Sequence, residues 1–216
     1  SDSFAFLGLY VCRPDWRGKG VGYALWQHAL GHAGDRTIGL DGVPAQEANY
    51  AASGFLRTGA TRQFEGRVDP AESPDIRSAA PSDATALGAL DQAANGVARL
   101  AFLTEWTRLT DSRFTLVLED GAALTGFATL RRCRASAKLG PVIAPDPASA
   151  LRLMQHAAAL APETALILGV PEANTGFLRT LAAEGFTETF STARMYRGPA
   201  PETGASLQAI ATMELG

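Results

Sequence analysis

The sequence lacks the cysteine pattern of a disulfide-stabilised or metal-binding protein. Only two of its 216 residues are cysteines, Cys12 and Cys133, and they lie far apart. This spacing excludes a disulfide framework and a CxxC metal motif, so we expect a protein of the reducing cytoplasm. His28 and His32 have the i,i+4 spacing of metal ligands, but no third ligand accompanies them. A solvated helix face is therefore the favoured interpretation of this pair, and no metal is expected.

The sequence also lacks a basic excess and a long apolar run. It has 19 Lys+Arg against 22 Asp+Glu, a formal net charge of −3 and a pI of about 5.6. This balance argues against a nucleic-acid-binding surface. No apolar run approaches the ~20 residues of a membrane-spanning helix, and the first residues lack the order of a secretory signal. With 46% hydrophobic and 19% charged residues, the composition is that of a globular protein.

Two stretches of the sequence repeat one order of predicted elements. Residues 4–64 and residues 124–196 are each predicted to contain a strand, a helix, a second strand, a second helix, a Gly-Phe pair and a strand pair. In the first stretch the opening strand is predicted over Phe4–Cys12 and its helix over Gly22–Ala33. This order indicates a diverged tandem duplication rather than an array of short repeats.

A proline-bearing segment, residues 66–83, separates the two copies. We therefore predict a first domain over residues 1–66, a linker over residues 67–74, a second domain over residues 75–198 and a C-terminal tail over residues 199–216. The tail ends in an apolar segment, Leu207–Leu215, that is expected to dock on a domain. The second copy has additional elements over residues 76–119 that the first copy lacks. A first unit of about 66 residues would bury a poor core by itself. We expect missing sequence or a partner, such as a second copy in a homodimer, to complete its sheet.

The segment Arg-Gly-Lys-Gly-Val-Gly, Arg17 to Gly22, carries the strongest chemical signal. Its glycines permit a tight turn and close ligand approach, and it opens a helix whose first amides are unpaired donors. Arg17 and Lys19 add two cations, so the segment predicts a diphosphate site. A Walker loop is excluded because Val21 follows its second glycine, and the G-x-G-x-G spacing does not fit a dinucleotide fingerprint. A solvated glycine-rich turn is the alternative.

This loop, which follows a strand and a proline, resembles the coenzyme A loop of the GNAT N-acetyltransferase superfamily. Tyr50 stands four residues before a Gly-Phe pair, as a tyrosine does in that superfamily. The segments FAFLGLYVCRP, RGKGVGYALW and IGLDGVPAQEANYAASGF and the terminal MELG resemble the YitH-like branch, in which a second, diverged GNAT-like domain follows the first. The resemblance implies an α/β (α+β) fold of tandem GNAT-like domains. Each has a mixed, mostly antiparallel sheet flanked by helices, and the first lacks its N-terminal elements.

The resemblance further implies an N-acetyltransferase that uses acetyl-CoA as co-substrate and acetylates an amine of a small-molecule acceptor. The main chain of Tyr10, Val11 and Cys12 would pair with the pantetheine arm. The amides of Arg17, Gly18, Lys19, Gly20, Val21 and Gly22 would hold the pyrophosphate. An amide near Leu9–Val11 would stabilise the oxyanion, and Tyr50 would protonate the departing thiolate. The alternative for Tyr50 is a half-buried helix tyrosine whose hydroxyl is satisfied locally.

Some functional assignments stay open at the level of sequence. No carboxylate lies between Phe4 and Cys12, so the general base is in a missing part, is a water, or comes from the second domain. Asp41 and Glu47 would contact an acceptor amine or serve as helix caps. Cys12 is interpreted as a small packing residue. The alternative to an enzyme is an acyl-CoA-binding regulatory module without turnover.

The second copy departs from the pattern at two positions that matter for the cofactor. It has Pro145-Asp146-Pro147-Ala148 where the first copy has its glycine loop, and Leu181 where the first copy has Tyr50. An acid at that position would repel a diphosphate. We therefore predict that the second domain kept the fold, lost the cofactor site, and walls the acceptor pocket or stabilises the first domain.

Overall fold

A continuous ten-stranded sheet forms the centre of the computed structural model, which describes residues 1–161 and 165–216. The strands are β1 Phe4–Phe6, β2 Thr37–Gly42, β3 Leu56–Gly66, β4 Ile76–Ser78, β5 Arg113–Asp120, β6 Ala123–Arg132, β7 Ala137–Ile143, β8 Leu166–Pro171, β9 Thr187–Arg197 and β10 Leu207–Ala209. Their spatial order is β1-β2-β9-β3-β8-β7-β6-β5-β4, and β10 pairs with β7. The α-helices are α1 Val21–Ala33, α2 Glu47–Ala52, α3 Ala84–Asn95, α4 Leu100–Trp106, α5 Pro147–Leu160 and α6 Thr175–Ala183. None of these helices is long and apolar enough to cross a membrane.

The predicted order of elements is confirmed in both copies, with two differences. The opening strand ends at Phe6 rather than at Cys12. The strand pairs expected after the two Gly-Phe sequences are single strands, β3 and β9, of 11 residues each. No helix or strand lies between Gly66 and Ile76, although Val68 is buried there. The division into domains at this segment stays a prediction.

The two copies exchange their last strands. β9, from the second copy, lies between β2 and β3 of the first copy and is antiparallel to both. β3, in turn, pairs with β8 of the second copy. The two sheets are therefore joined edge to edge into one, and side chains of β9 reach the first copy.

Each copy contains two neighbouring parallel strands that separate after a few residues. β1 and β2 are paired from Phe4↔Thr37 to Phe6↔Gly39. β7 and β8 are paired only at Ala137↔Leu166 and Lys138↔Ile167. We call the space beyond the last pair the first gap in the first copy and the second gap in the second copy.

The C-terminal tail fills the second gap. β10 is antiparallel to β7, with Leu207 opposite Ile143 and Ala209 opposite Val142. On the other side of the gap, the amide of Ile210 donates to the carbonyl oxygen of Gly169 in β8 at 2.9 Å. The apolar tail therefore docks, as its sequence predicts, and it does so between two diverging strands.

Candidate active site

A cleft of about 850 Å³ opens at the first gap and collects most of the residues predicted for cofactor binding and catalysis. Its wall includes Tyr10, Val11, Cys12, Arg17, Gly18, Gly20, Gly22 and Tyr50. Lys19 and Val21 are not part of this wall; both are exposed, and the Lys19 ammonium lies 5.7 Å from the Trp16 ring centroid. Eight of the ten residues predicted for the site therefore border one cleft, and Lys19 and Val21 do not line it.

The backbone that follows β1 leaves the sheet. The amide of Leu7 donates to Gly39 at 2.8 Å, and the chain then turns away from β2. Leu9 has a φ of 55°, which an extended ladder does not accommodate. This explains why the strand predicted to reach Cys12 is short. The peptide groups of Tyr10–Cys12 are consequently not paired with β2 and border the cleft instead.

The N-terminus of α1 is open toward the same cleft. Gly18 and Gly20 have φ values of 72° and 78°, so a left-handed turn leads into the helix. A methyl group added to either would meet nothing within 4 Å, so these glycines serve backbone conformation rather than packing. Gly20 is the N-cap residue, and among residues 1–161 and 165–216 no side chain caps the first turn. The first amides of α1 are therefore free donors at the positive end of the helix dipole, an arrangement that suits an anion.

Arg17 adds a cation at this helix end. Its Nε donates to the carbonyl oxygen of Cys12 at 3.1 Å, which ties the loop to the preceding backbone. Arg17 takes part in none of the ion pairs within residues 1–161 and 165–216, whereas Arg13 is paired with Asp15 at 3.0 Å. The terminal guanidinium nitrogens of Arg17 thus remain available to a phosphate group.

Tyr50 projects from α2 and packs on Trp26, with 5.4 Å between ring centroids. A Cβ at Gly42 would lie 2.7 Å from the Tyr50 ring, so a glycine is needed there to make room for it. Partial burial, and secondarily the proximity of Tyr10, raises the pKa of Tyr50 above its ordinary value of 10.0. Its hydroxyl is therefore protonated at neutral pH and can donate a proton in the cleft.

Tyr10 and Trp26 link the loop to the two helices. The ring of Tyr10 lies 5.5 Å from that of Trp26 on the side of the first gap. A Cβ at Gly22 would lie 2.9 Å from the Tyr10 hydroxyl, so the third glycine of the loop allows this close approach. Trp26 is buried and also contacts Phe55 at 5.7 Å. This aromatic cluster holds the loop, α1 and α2 in fixed relation.

The two acids considered for contact with an acceptor amine are both held by arginines. The Asp41 carboxylate is fully buried and accepts hydrogen bonds from Arg194 at 2.7 and 3.1 Å. It also accepts from the hydroxyls of Thr61 and Thr192 at 3.0 and 3.1 Å. Glu47 is paired with Arg57 at 3.5 Å. Asp41 therefore serves as the hub of a polar network that joins β2, β3 and β9.

The remaining sequence alternatives have local structural explanations. His28 and His32 are exposed on α1. Among the residues that the structure describes, no three His, Cys, Asp or Glu side chains form a group that could hold a metal ion. Cys12 is partly buried, and its sulfur lies 3.8 Å from the position of a Cβ on Gly22. This agrees with its interpretation as a small packing residue.

Sequence reasoning missed the part of the wall that comes from distant segments. Phe190 and Thr192 of β9, Gln63 of β3, and Met213 and Glu214 of the tail all line the cleft. The β9 residues reach it only because the last strands are exchanged, a pairing that no local pattern announces. The terminal MELG segment did carry a signal, since it matched the family that the loop resembles.

The corresponding positions of the second copy are closed. The carboxylate of Asp146 caps α5 and accepts a hydrogen bond from the amide of Ser149 at 2.7 Å. This side chain occupies the helix end that is open in α1. Leu181, which stands in the place of Tyr50, is fully buried in the core beside Phe177. At these places the second copy therefore has a capped helix end in place of an uncapped one, and a leucine in place of the tyrosine.

Sequence comparison identifies the family of this chain. Residues 1–60 match the model of the acetyltransferase (GNAT) family, and residues 87–207 match that of an acetyltransferase (GNAT) domain. The chain belongs to the GNAT acetyltransferase family, and it is an acyltransferase. It is similar to the holothin acyltransferase of Pseudoalteromonas sp. (strain SANK 73390). The two are 33% identical over 220 residues, a match that covers 100% of this chain and 74% of that protein.

Solved structures share the fold. A putative acetyltransferase from Pyrococcus horikoshii superposes with a TM-score of 0.83 at 20% identity, over 100% of this chain and 73% of that one. A tandem GNAT protein from the clavulanic acid biosynthesis pathway superposes with a TM-score of 0.58 at 20% identity, over 91% and 76% of the two chains. These likenesses support the mixed, mostly antiparallel sheet flanked by helices that the sequence predicts.

Proposed function

We propose that this chain transfers the acetyl group of acetyl-CoA to an amine of a small molecule by direct attack. One observation carries the proposal. The uncapped N-terminus of α1, the backbone that leaves the sheet after β1, and Tyr50 border one cleft. The GNAT family generally uses acetyl-CoA, and these three features suit the diphosphate, the pantetheine arm and the thioester end of that molecule.

The chain's own groups fit such a substrate. The amides from Arg17 to Gly22 are donors for a pyrophosphate, because the N-terminus of α1 has no side-chain cap of its own. The peptide groups of Tyr10–Cys12, which have left the sheet, would pair with pantetheine as an added strand does. The cleft volume of about 850 Å³ is within the range of small-molecule and cofactor sites.

The chemistry requires little more than orientation and a proton donor. The attacking nitrogen forms a C–N bond with the acetyl carbon, and the C–S bond breaks when the resulting tetrahedral intermediate collapses. A backbone amide near Leu9–Val11 would donate to the oxyanion of the intermediate. The Tyr50 hydroxyl would give its proton to the departing sulfur, and the nitrogen would release its surplus proton to water. The raised pKa of Tyr50 keeps that hydroxyl protonated until it is needed.

The second copy would complete the acceptor side rather than bind a second cofactor. Phe190 and Thr192 face the cleft from β9, and the tail fills the second gap. The name of the holothin acyltransferase supports a small-molecule acceptor for this chain as well. A cytoplasmic location, and a homodimer or completing chain beside β1, stay predictions.

Thiol release from acetyl-CoA with a panel of primary amines tests this function, beside calorimetric titration with CoA. We expect binding with a stoichiometry of one and release of thiol with at least one class of amine. Binding without release across a broad panel would favour the alternative, a regulatory acyl-CoA-binding module. The acyltransferase relative favours turnover.

A further inference from the structure

The tail continues from the second gap into the cleft of the first copy. Beyond Ile210 it forms a tight turn, in which the amides of Leu215 and Gly216 donate to the Thr212 carbonyl oxygen at 3.2 and 2.9 Å. The carbonyl oxygen of Gly216 accepts a hydrogen bond from Arg99 at 2.8 Å. Residue 214 is therefore held at the tip of a turn that is anchored on both sides.

The tip of this turn lies against the backbone that follows β1. The main chain of Glu214 lies so close to Gly8 that any side chain at position 8 would collide with its carbonyl oxygen. Gly8 precedes Leu9, whose left-handed conformation turns the chain out of the sheet. The tail thus brings Glu214 beside the backbone where the thioester is expected. The segment Phe4–Cys12, to which that backbone belongs, has no carboxylate of its own.

Glu214 is partly buried and lines the cleft. Burial by itself would raise the pKa of Glu214. A hydrogen bond from the Thr212 hydroxyl, a backbone hydrogen bond and the charges of Lys138 and Arg131 outweigh this effect and hold the pKa below its ordinary value of 4.5. Such a carboxylate is a poor proton acceptor at neutral pH but a good partner for a cation.

Glu214 differs in its ion pairing from Asp41, the other acid of the cleft wall. Asp41 is ion-paired with Arg194 at 2.7 Å, whereas Glu214 takes part in none of the ion pairs within residues 1–161 and 165–216. The wall around it also has apolar side chains, among them Phe190, which is 42% exposed, and Val43, which is 39% exposed. A cationic group on an apolar skeleton complements these features.

We propose that Glu214 is the acceptor-binding carboxylate, which pairs with the ammonium group of a primary amine carried on an apolar skeleton. This inference rests on the proposed function, because it assigns the acceptor side of the same cleft. Pairing would hold the nitrogen beside the thioester. The ammonium would lose one proton to water before it attacks, and the nitrogen would lose a second proton to water after the C–N bond has formed. The tail then has two roles: β10 fills the second gap, and Glu214 contributes a side chain to the cleft at the first gap.

The test compares Glu214→Gln with wild type, Glu214→Asp and Glu72→Gln. Glu214→Gln removes the charge at nearly constant size, Glu214→Asp retains it, and Glu72 is an exposed glutamate outside the cleft wall. Two quantities are measured. One is the acceptor KM and kcat for phenethylamine, which is cationic at pH 7.5, and for aniline, which is not. The other is the binding of phenethylamine to CoA-saturated protein by saturation-transfer NMR, which needs no turnover.

We expect Glu214→Gln to weaken phenethylamine binding and raise its KM at least tenfold. Its melting temperature and CoA affinity should stay near those of Glu72→Gln, aniline should be unaffected, and Glu214→Asp should recover part of the loss. Equal phenethylamine binding by Glu214→Gln and wild type, or no phenethylamine binding by wild type, would overturn the inference. If charge-dependent binding occurs but no thiol is released, the proposed function fails while the role of Glu214 stands.

Discussion

The first and second gaps show how one topology supports a binding cleft in one place and a solid core in another. In both copies a parallel strand pair separates after two or three residue pairs. The backbone freed in the first copy borders a cleft, whereas the second gap is bridged by β10, which pairs with β7 while Ile210 bonds to β8. The chain's own tail thus does in the second copy what a pantetheine arm is proposed to do in the first.

The helix ends differ in the same way. Within the described residues, the first turn of α1 has no side-chain cap, whereas in α5 the amide of Ser149 donates to the carboxylate of Asp146. Free amides at a helix end must be satisfied by side chains, water or ligands. A duplicated domain can therefore lose an anion-binding helix end when its own side chain accepts the hydrogen bond of a helix-end amide. The topology need not change.

The largest effect is expected from removal of the hydroxyl that distinguishes Tyr50 from Leu181. Tyr50→Phe should lower kcat about 100-fold or more, because the departing thiolate loses its proton donor. The affinity for CoA should stay within twofold, since the ring still packs on Trp26. Steady-state kinetics and calorimetry measure the two quantities. Tyr23→Phe removes the hydroxyl of another tyrosine of the cleft wall, which is 66% exposed, and should leave kcat unchanged. Unchanged turnover in Tyr50→Phe would remove Tyr50 from the mechanism.

Gly20→Asp should make the first helix end resemble the second. The substitution places a carboxylate where Asp146 stands in α5 and imposes a side chain on a φ of 78°. Loss of two charge-assisted hydrogen bonds to phosphate predicts about 100-fold weaker CoA binding by calorimetry. Gly31→Asp adds the same charge to an exposed position of α1 and should bind CoA normally. Comparable losses in both variants would contradict a specific role for the helix end.

Arg17→Ala is expected to weaken CoA binding about tenfold, because one charged donor to phosphate is lost. Raising the salt concentration should reduce the difference from wild type. Arg13→Ala is the matched control, since Arg13 is already paired with Asp15, and it should change the affinity less than twofold. Equal effects of the two variants would show that the loop attracts CoA only through its total charge.

Asp146→Ala tests the closed helix end and should have the smallest effect. Loss of the N-cap predicts about 1 kcal/mol less free energy of unfolding, measured by urea denaturation. The stoichiometry of CoA should remain one, because β10 still fills the second gap. Asp69→Ala, at an exposed loop position, provides the stability control. A second equivalent of bound CoA would contradict the view that the tail closes this copy.

The sequence predicted the features that depend on neighbouring residues. Local signals include the glycines and cations of Arg17–Gly22, the position of Tyr50, and the residues Asp146 and Leu181 at the corresponding places of the second copy. The repeated order of elements is likewise predicted from local sequence patterns. The strand predicted over Phe4–Cys12 was too long because its apolar composition favours extended structure. The turn at Leu9 that ends it lies against a segment some 200 residues away, at Glu214.

Contacts between distant segments could not be predicted. β9 has a regular strand pattern, and nothing in that pattern states whether it lies beside β8 or between β2 and β3. The hydrogen bonds that Arg194 and Thr192 donate to the buried Asp41 carboxylate stabilise the observed arrangement. They form only when β9 lies between β2 and β3. For the same reason the contribution of Phe190 and Glu214 to the cleft became visible only in three dimensions.

The placement of β9 between β2 and β3 makes the duplicated chain behave like an interlocked pair. A protease cut in the segment between Gly66 and Ile76 would leave two fragments, each holding the strand that the other requires. Such fragments should be insoluble when expressed singly and should reassemble when expressed together. An ancestral duplication of this kind would have turned two independent folding units into one obligatory partnership.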